Sequence, residues 1–278
     1  MTHYVKPNLN SSTLINVTPQ SAGWKYLSFK VMAIKAGEKF QHATQGEEFA
    51  LVLLKGEMRV EVDQDRFALR RKSFFAEMPF VLYAPPRKTI IVEAITDVEF
   101  AIGGAPAEGK YPTRLFAPSE MKAEIRGGGA ARRQVNHILQ HPLPAERLIL
   151  FEVYVPGGAW SGWPPHCHDG YMGSPYLEEV YYYRIEPQNG FAIHRNYRKD
   201  KIFDELFTVQ NGDAVLVTQG FHPVAVAPGS NVYFLNYLAG DLLNEARETP
   251  PYDDPDYAWI KDRWEENLLK LPIQGQKI

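Results

Sequence analysis

The stretch that decides the fold is Trp160-Ser-Gly-Trp-Pro-Pro-His166-Cys167-His168, which places two histidines one residue apart in strand-like sequence. Side chains alternate between the two faces of an extended strand, so His166 and His168 point to one side and Cys167 to the other. Both imidazoles can then reach a single ion. A lone histidine here would have an ordinary hydrogen-bonding role, and it is the pair that indicates a metal.

Two histidines on one strand cannot complete the coordination of a metal ion, and two later segments offer further ligands. Glu178 and Glu179 open an apolar aromatic strand, and His222 follows a Gly-Phe pair at a turn. Adjacent residues face opposite ways in a strand, so only one of the two glutamates can be a ligand. We select Glu179, because Tyr181 and Tyr183 then share its face. The sequence predicts a metal site formed by His166, His168, Glu179 and His222.

The composition of the 278-residue chain is that of a globular, β-rich protein, with 45% hydrophobic residues, 15 Phe and 15 Tyr. A net charge of -3 without a basic stripe gives no basis for nucleic-acid binding, so the expected partner is a small molecule. The single cysteine excludes an internal disulfide. No apolar run has the length of a signal-peptide core or a membrane span, which predicts a cytoplasmic protein without membrane attachment.

Short apolar or alternating runs bounded by Gly, Pro and Asp recur along the chain and predict an antiparallel all-β protein. The runs also repeat, and a repeat of this size predicts two similar β-barrels in tandem. We place them at residues 1–125 and 126–278, with Gly127-Gly-Gly129 as a connector. The matched segments are residues 31–38 with 152–158, 46–57 with 177–185, and 73–79 with 213–220.

The two predicted barrels differ in histidine content. The first offers His42 and then no histidine between Thr44 and His137, so it is predicted to bind no metal. Its expected role is packing, oligomerisation or shaping one wall of the site.

The carboxyl end has a different pattern from the rest of the chain. Asp254-Pro255 is typical of a helix cap followed by a proline in the first turn. Apolar residues then recur at steps of three and four, which predicts a short amphipathic C-terminal helix. These residues are Tyr257, Ile260, Trp264, Leu268 and Leu271.

The proposed ligands resemble the two motifs of the cupin superfamily, jelly-roll barrels (double-stranded β-helices) that hold a metal inside through His, His, Glu and His. Three departures from those motifs stand out. Ten residues separate His168 from Glu179, Thr218 replaces a proline, and His222 lies one residue closer to its glycine. The corresponding residues are Gly157 or Gly158, His166, His168 and Glu179 for the first motif, and Gly212, Gly220 and His222 for the second.

Over nearly its full length the chain is similar to the 5-deoxy-glucuronate isomerase family of inositol degradation, a two-cupin family with a long insertion after the paired histidines. The resemblance implies tandem cupin barrels and a homo-oligomer. It also implies conversion of 5-deoxy-D-glucuronate, a sugar acid, into 2-deoxy-5-keto-D-gluconate. The resembling stretches include Arg133-Gln-Val-Asn-His137, Trp163-Pro-Pro-His-Cys-His-Asp169, Leu177-Glu-Glu-Val-Tyr-Tyr-Tyr183 and Gly220-Phe-His-Pro-Val224.

An aldose-to-ketose isomerisation moves a proton between adjacent carbons through an enediol, and a metal ion that chelates the substrate oxygens stabilises the developing charge. No redox change is needed, so zinc is the first expectation, with manganese, iron or nickel as alternatives. Three other functions stay open. They are 5-keto-4-deoxyuronate isomerisation in pectin breakdown, metal-dependent dioxygenation, and non-catalytic sugar binding.

The remaining site residues are chosen by their closeness in sequence to the ligands. For proton transfer we select Tyr183, Tyr181 and Glu178, because phenols and carboxylates are suitable general acids and bases. For the substrate we select Arg195, Arg184 and Asp169, since arginine matches a carboxylate geometrically.

Overall fold

Strands dominate the protein, and the all-β prediction is confirmed. The structure is a computed structural model and describes residues 2–266, 268–269 and 271–273. None of the helices in this part of the chain has the length and apolar character needed to cross a membrane. The helical segments are α1 (Pro19–Ala22) and five 3-10 helices at Pro118–Glu120, Gly129–Ala131, Tyr171–Gly173, Asn244–Glu248 and Ala258–Asp262.

The strands fall into two groups along the chain. The first group comprises β1 (Tyr4–Val5), β2 (Thr13–Val17), β3 (Ser28–Ile34), β4 (Lys39–Ala43), β5 (Glu47–Val62), β6 (Asp65–Arg71), β7 (Val81–Ala84), β8 (Thr89–Ala94), β9 (Val98–Pro106), β10 (Arg114–Phe116) and β11 (Lys122–Arg126). The second group comprises β12 (Arg133–Leu139), β13 (Ile149–Val155), β14 (Trp160–Ser161), β15 (His166–Cys167), β16 (Leu177–Glu186), β17 (Ala192–Arg198), β18 (Phe203–Val209), β19 (Ala214–Val217), β20 (Val224–Val226), β21 (Asn231–Gly240) and β22 (Tyr252–Asp253).

Antiparallel pairing organises each half around its own interior. In the first half one face runs β10-β7-β5-β9-β3-β2, and the long strand β5 continues into pairs with β6 and β8, the latter also pairing β4. In the second half a seven-stranded sheet, β1-β19-β16-β21-β13-β12-β11, faces a four-stranded sheet, β14-β20-β17-β18. Alternation along these strands sends apolar side chains into both interiors, which form two separate buried clusters.

A third buried cluster joins the two halves, because both large sheets also turn an apolar face toward each other. The Phe29 and Tyr237 rings meet edge to face with centroids 5.1 Å apart. A Cβ added at Gly103 would lie 2.5 Å from the Tyr237 ring, so only glycine permits this approach. Arg71 and Glu152 form a buried ion pair at 2.7 Å between the halves. The two halves therefore share a core.

Strands from the first predicted segment pair with strands of the second, across the predicted boundary between residues 125 and 126. That boundary falls inside β11, which pairs with β12 of the second half. The amino-terminal strand β1 also pairs with β19, so the chain begins in the sheet of the second half. The division into two barrels stays a proposal, with strands near both ends of the first segment belonging to the second sheet.

The predicted repeat pairs the correct strands, β5 and β16, but one residue out of register, because the match of 46–57 with 177–185 sets Glu48 against Glu179 whereas Phe49 holds the equivalent place. It is further out of register for the later strands. Segment 73–79 was matched to segment 213–220, yet β7 and β19 are the strands in equivalent places. Val81 pairs with Val52 of β5, and Ala214 pairs with Tyr182 of β16. The sequence match failed because loops of different length precede the two strands.

The carboxyl-terminal prediction was wrong in its extent. The described residues show one 3-10 turn, Ala258–Asp262, in place of a longer amphipathic α-helix. Asp254 is tied into the barrel, accepting hydrogen bonds from the Tyr197 hydroxyl at 2.6 Å and from Lys199. Trp264 packs on the predicted connector, where a Cβ at Gly128 would lie 2.6 Å from its ring. Leu268 and Leu271 are exposed, so no continuous apolar face is buried here.

Candidate metal centre

Strand β16 carries the central carboxylate of the site. Glu179 pairs with Val217 on one side and Leu238 on the other, so it lies in the middle of the large sheet. Alternation directs Glu179, Tyr181 and Tyr183 toward the interior of the second half, as the sequence predicts. The buried side chain reaches the imidazole rings of His168 and His222.

The structure brings three of the four predicted ligands together. Ligand atoms of His168, Glu179 and His222 all lie within 4.8 Å of one another, and all three residues are buried. The Glu179 carboxylate oxygen Oε2 lies 2.9 Å from Nε2 of His168 and 3.4 Å from Nε2 of His222. These distances leave a common centre for one cation.

Hydrogen bonds on the far side of both rings orient them toward this centre. Nδ1 of His168 donates to the Leu177 carbonyl at 2.9 Å, and Nδ1 of His222 donates to the Gly220 carbonyl at 3.0 Å. Each Nε2 is therefore turned toward Glu179, and in a neutral ring that keeps its proton on Nδ1 this nitrogen has the lone pair that a metal needs, which is the usual arrangement behind metal-bound histidines. Nε2 of His222 is buried and has no hydrogen-bond partner among the described residues. A bound cation would satisfy it, so the residues fit a metal.

His166 lies beside this trio rather than inside it. Its ring centroid is 4.7 Å from that of His222 and 6.4 Å from that of His168. It lines the same cavity as His168 and Glu179. Burial, together with the neighbouring His168, lowers the pKa of His166 to about 3, so its imidazole is neutral and available as a ligand.

The carboxylate and the other two imidazoles respond to their burial in different directions. Burial raises the pKa of Glu179, partly offset by its hydrogen bond from His168. Burial also lowers the pKa of His222 well below its ordinary range, with the neighbouring histidines adding to the effect. For His168 the burial penalty is outweighed by contact with Glu179, and its pKa is raised. A positive charge shared by the carboxylate and the imidazoles would therefore stabilise the cluster.

A cavity of about 350 Å³ opens from this cluster and is large enough for a sugar acid. One wall is aromatic and apolar, with Phe151, Tyr181 and Phe234. Other parts of the lining are polar and include three arginines. Besides the histidines and Glu179, the polar lining comprises Arg126, Arg133, Gln140, Ser161, Asn236, Arg247, Glu248 and Thr249.

The three predicted proton-transfer residues lie in three different environments. Tyr181 lines the cavity, with its ring centroid 5.9 Å from that of His222. Tyr183 is buried deeper, and its hydroxyl hydrogen-bonds Nδ1 of His194 at 2.6 Å. Glu178 points out of the barrel and accepts hydrogen bonds from the backbone N–H groups of residues 25–27 at 2.7 to 2.9 Å. A catalytic role for Glu178 is contradicted by this placement.

None of the three predicted substrate residues lines the cavity. Arg195 is on the outer surface and pairs with Asp204 at 2.7 Å. Arg184 pairs with Glu99 between the two halves. Asp169 pairs with Arg198 and accepts the Gly220 N–H at 2.9 Å, which fixes the turn that carries His222. Closeness in sequence to the ligands was a poor guide, because alternation and turns carry these side chains away.

Two features of the site were missed by the sequence reading. His194 and Asn196 are buried next to the tyrosines, with Nε2 of His194 donating to the side-chain amide oxygen Oδ1 of Asn196 at 2.8 Å. Their alternation on one strand was a usable signal. Arg133 was quoted only as part of a resembling stretch, although its side chain enters the cavity.

Comparison with known proteins identifies the family of the chain. The KduI/IolB family matches residues 3–260. A protein of Geobacillus kaustophilus named 5-deoxy-glucuronate isomerase is 41% identical over 261 residues, which cover 92% of this chain and 93% of that protein. A protein of Bacillus subtilis with the same name is 32% identical over 253 residues, covering 89% of this chain and 92% of that protein.

Solved structures support the same relationship. An IolB-like protein from Salmonella typhimurium has a TM-score of 0.89 and 36% sequence identity, covering 94% of this chain and 99% of that one. An oxalate decarboxylase mutant from Bacillus subtilis has a TM-score of 0.62 at 14% identity, covering 87% and 78%. The second likeness shows the fold alone and confirms the predicted cupin architecture.

Proposed function

Because the chain belongs to the KduI/IolB family, we propose that it is a metal-dependent isomerase that converts 5-deoxy-D-glucuronate into 2-deoxy-5-keto-D-gluconate. The relatives named for this activity match nearly the whole chain, so every element of the site described above lies within the region of similarity. The observation that carries the proposal is the buried cluster of His168, Glu179 and His222, of which His168 and Glu179 line a cavity that also has polar side chains.

The donor set suits a catalytic rather than a structural ion. His168, Glu179 and His222 are the proposed ligands, with His166 as the fourth, and the cavity beside them leaves room for substrate oxygens. A bound divalent ion would polarise the carbonyl and its neighbouring hydroxyl and so acidify the C–H bond between them. Because the reaction is redox-neutral and three donors are imidazoles, we propose zinc, with manganese, iron or nickel as alternatives.

The chain itself supplies positioning and proton transfer. Tyr181 is the proposed proton carrier, since it lines the cavity near the ligands and can reach a sugar bound there. Tyr183 acts through position, because its hydroxyl is engaged by His194. The aromatic wall of Phe151 and Phe234 excludes water from the reacting carbons.

The decisive experiment is a substrate comparison on protein with measured metal content. Purified protein would be incubated with 5-deoxy-D-glucuronate and, separately, with the pectin-derived 5-keto-4-deoxyuronate, in air and under anaerobic conditions. We expect turnover of the first sugar, loss of turnover after chelation, and no dependence on oxygen. Turnover of the pectin product alone would overturn the substrate assignment, and oxygen consumption would indicate a dioxygenase instead.

We propose a cytoplasmic enzyme acting on a small sugar acid, in keeping with its metabolic relatives. A homo-oligomer is expected from the resemblance to two-barrel cupins. Cell fractionation and light scattering of the purified protein would test these two expectations.

A further inference from the structure

One charged side chain in the cavity contacts no carboxylate among the described residues. Arg133 is only 7% exposed and lines the cavity together with His166, His168 and Glu179. It forms no salt bridge with any described residue, and the nearby acid Glu124 is already engaged by Lys122, Arg126 and His137. The cavity therefore contains a buried cation facing the space that a ligand would fill.

The hydrogen bonds of Arg133 hold its guanidinium in place without neutralising it. Nη1 donates to the carbonyl oxygens of Ala131 at 3.0 Å and Trp163 at 3.1 Å. Nε is buried and has no hydrogen-bond partner among the described residues. Trp163 lies in the loop that leads to His166, so the same loop orients the histidine and the arginine.

Three other buried arginines of this chain each lie close to a carboxylate, unlike Arg133. Arg71 contacts the Glu152 carboxylate at 2.7 Å, and Arg198 pairs with Asp169. Arg247 donates to three backbone carbonyls, and its Nε, which also has no hydrogen-bond partner among the described residues, lies 3.5 Å from the Glu248 carboxylate. Arg133 has two carbonyls and no carboxylate, and its neighbour Arg126 adds positive charge.

An uncompensated buried charge destabilises a fold, so its presence needs a physical reason. Burial, with Arg126 nearby, lowers the pKa of Arg133 to about 10, and the guanidinium is still protonated near neutral pH. A planar guanidinium with free donors is the best geometric match for a carboxylate. The missing partner is therefore an anion that arrives with the substrate.

We propose that Arg133 binds the carboxylate of a sugar-acid substrate while the carbonyl end of the same molecule lies at His168, Glu179 and His222. This inference rests on the proposed function, and it names the group that selects acids over neutral sugars. An open-chain uronate carries its aldehyde and its carboxylate at opposite ends. A cavity with a metal cluster in one part and a buried guanidinium in another can recognise both ends at once.

The binding test uses two ligands that differ only in one terminal group, which is a charged carboxylate in the first and a neutral hydroxymethyl group in the second. L-Gulonate is D-glucuronate reduced at the aldehyde, and D-glucitol has a hydroxymethyl group in place of the gulonate carboxylate. Calorimetric affinities would be measured for the wild-type protein, Arg133→Met and the surface control Arg195→Met. We expect Arg133→Met to weaken gulonate binding about 10- to 100-fold, as for loss of a charge-assisted hydrogen bond. The affinity of Arg133→Met for glucitol should change less than about threefold. Arg195→Met should leave the affinities for gulonate and glucitol unchanged.

A second variant guards against a folding defect. Arg133→Lys keeps the charge but loses the planar fork, so it should retain part of the discrimination between gulonate and glucitol. Metal content and the thermal midpoint would be measured for every variant, and both should stay near the wild-type values. The kinetic counterpart is a higher KM for 5-deoxy-D-glucuronate in Arg133→Met, with a smaller change in kcat.

The outcomes separate this inference from the proposed function. If Arg133→Met binds gulonate as the wild type does, or if wild-type protein does not prefer gulonate to glucitol, Arg133 is not the carboxylate site, even where isomerase activity is intact. If gulonate binding depends on Arg133 but no isomerisation is found, the anion site stands and the reaction assignment fails.

Discussion

The two halves of the molecule place different residues at one equivalent point. Strand β5 lies between β7 and β9 as β16 lies between β19 and β21. Phe49 pairs with Ala84 and Gly104, and its counterpart Glu179 pairs with Val217 and Leu238. A phenyl ring in one half thus occupies the position of the metal carboxylate in the other.

The residues around this position also differ between the two halves. A Cβ on Gly104 would lie 2.5 Å from the Phe49 ring, so the large ring requires the glycine. In the second half Leu238 stands in place of the glycine, and both Leu238 and Glu179 line the cavity. His42 packs on Phe49 with ring centroids 4.3 Å apart, and burial lowers its pKa. One fold therefore yields a packed core or a reactive site according to a few side chains.

The largest effect is expected where the two halves differ most. Glu179→Gln keeps the shape of the side chain but removes the charge that the three imidazoles share. We expect kcat/KM to fall about 1,000-fold, comparable to the loss of a central electrostatic contact, together with loss of bound metal. Assays of isomerisation and elemental analysis would measure both.

The matched control for that variant is Phe49→Leu, at the equivalent position of the first half. It should lower stability modestly and leave metal content and kcat/KM within about twofold, because no ligand is touched. Equal losses in the two variants would mean that Phe49 and Glu179 do not differ in function as their surroundings indicate.

The two halves also share a feature, which is a buried glutamate that accepts backbone hydrogen bonds from the other half. Glu48 accepts hydrogen bonds from the backbone N–H groups of residues 146–148, as Glu178 does from residues 25–27. Each carboxylate anchors the segment that enters the opposite half. We expect Glu48→Gln and Glu178→Gln each to lower the free energy of unfolding by about 3–5 kcal/mol, since a buried charged acceptor is lost. Urea unfolding would measure the loss.

Activity separates this structural role from a catalytic one. In folded protein both variants should keep their metal and turn over substrate within a few-fold of the wild-type rate. A selective loss of kcat in Glu178→Gln, with Glu48→Gln unaffected, would restore Glu178 to the catalytic residues.

The features of the fold and the site that the sequence predicted are those that a local sequence pattern determines. Strand alternation predicted that Glu179 faces inward with Tyr181 and Tyr183, and the paired histidines predicted the cluster near them. The roles of Glu178 and Arg133 depend on what surrounds them in three dimensions. Glu178 meets amides from the other half, about 150 residues away in the chain, and no local pattern records this contact.

The predicted arginines illustrate the same limit. Arg184 and Arg195 are next to inward residues on their strands, so alternation alone turns them outward. At the carboxyl end the Asp254 side chain is engaged by Tyr197 and Lys199 of the barrel, a long-range contact that periodicity cannot show.

The interior polarity of the second half should also appear in its response to acid. Burial lowers the pKa of His194 to about 4 from an ordinary value of 6.5, so the unfolded chain binds its proton more readily than the folded one. The stability that neutral His194 provides is present above pH 6.5 and is lost as the pH falls toward 4, up to roughly 3 kcal/mol. His194→Gln can keep both hydrogen bonds and should remove this part of the loss.

Urea unfolding of chelated protein between pH 6.5 and pH 4 would measure this difference in slope. His42→Gln in the first half should change the slope less, because His42 is only half-buried. An identical acid response of wild-type and His194→Gln proteins would show that His194 is not held neutral by its surroundings.

The smallest effect is expected on the outer wall of the second half, in contrast to its interior. The Arg195–Asp204 pair is exposed, with about half of each side chain accessible to solvent. Water and salt screen such pairs, so Arg195→Met should change the free energy of unfolding by less than about 1 kcal/mol. KM for a sugar acid should not change, because Arg195 does not line the cavity. A rise in KM with Arg195→Met but not with Arg133→Met would reverse the assignment of the carboxylate site from the inside of the barrel to the outside.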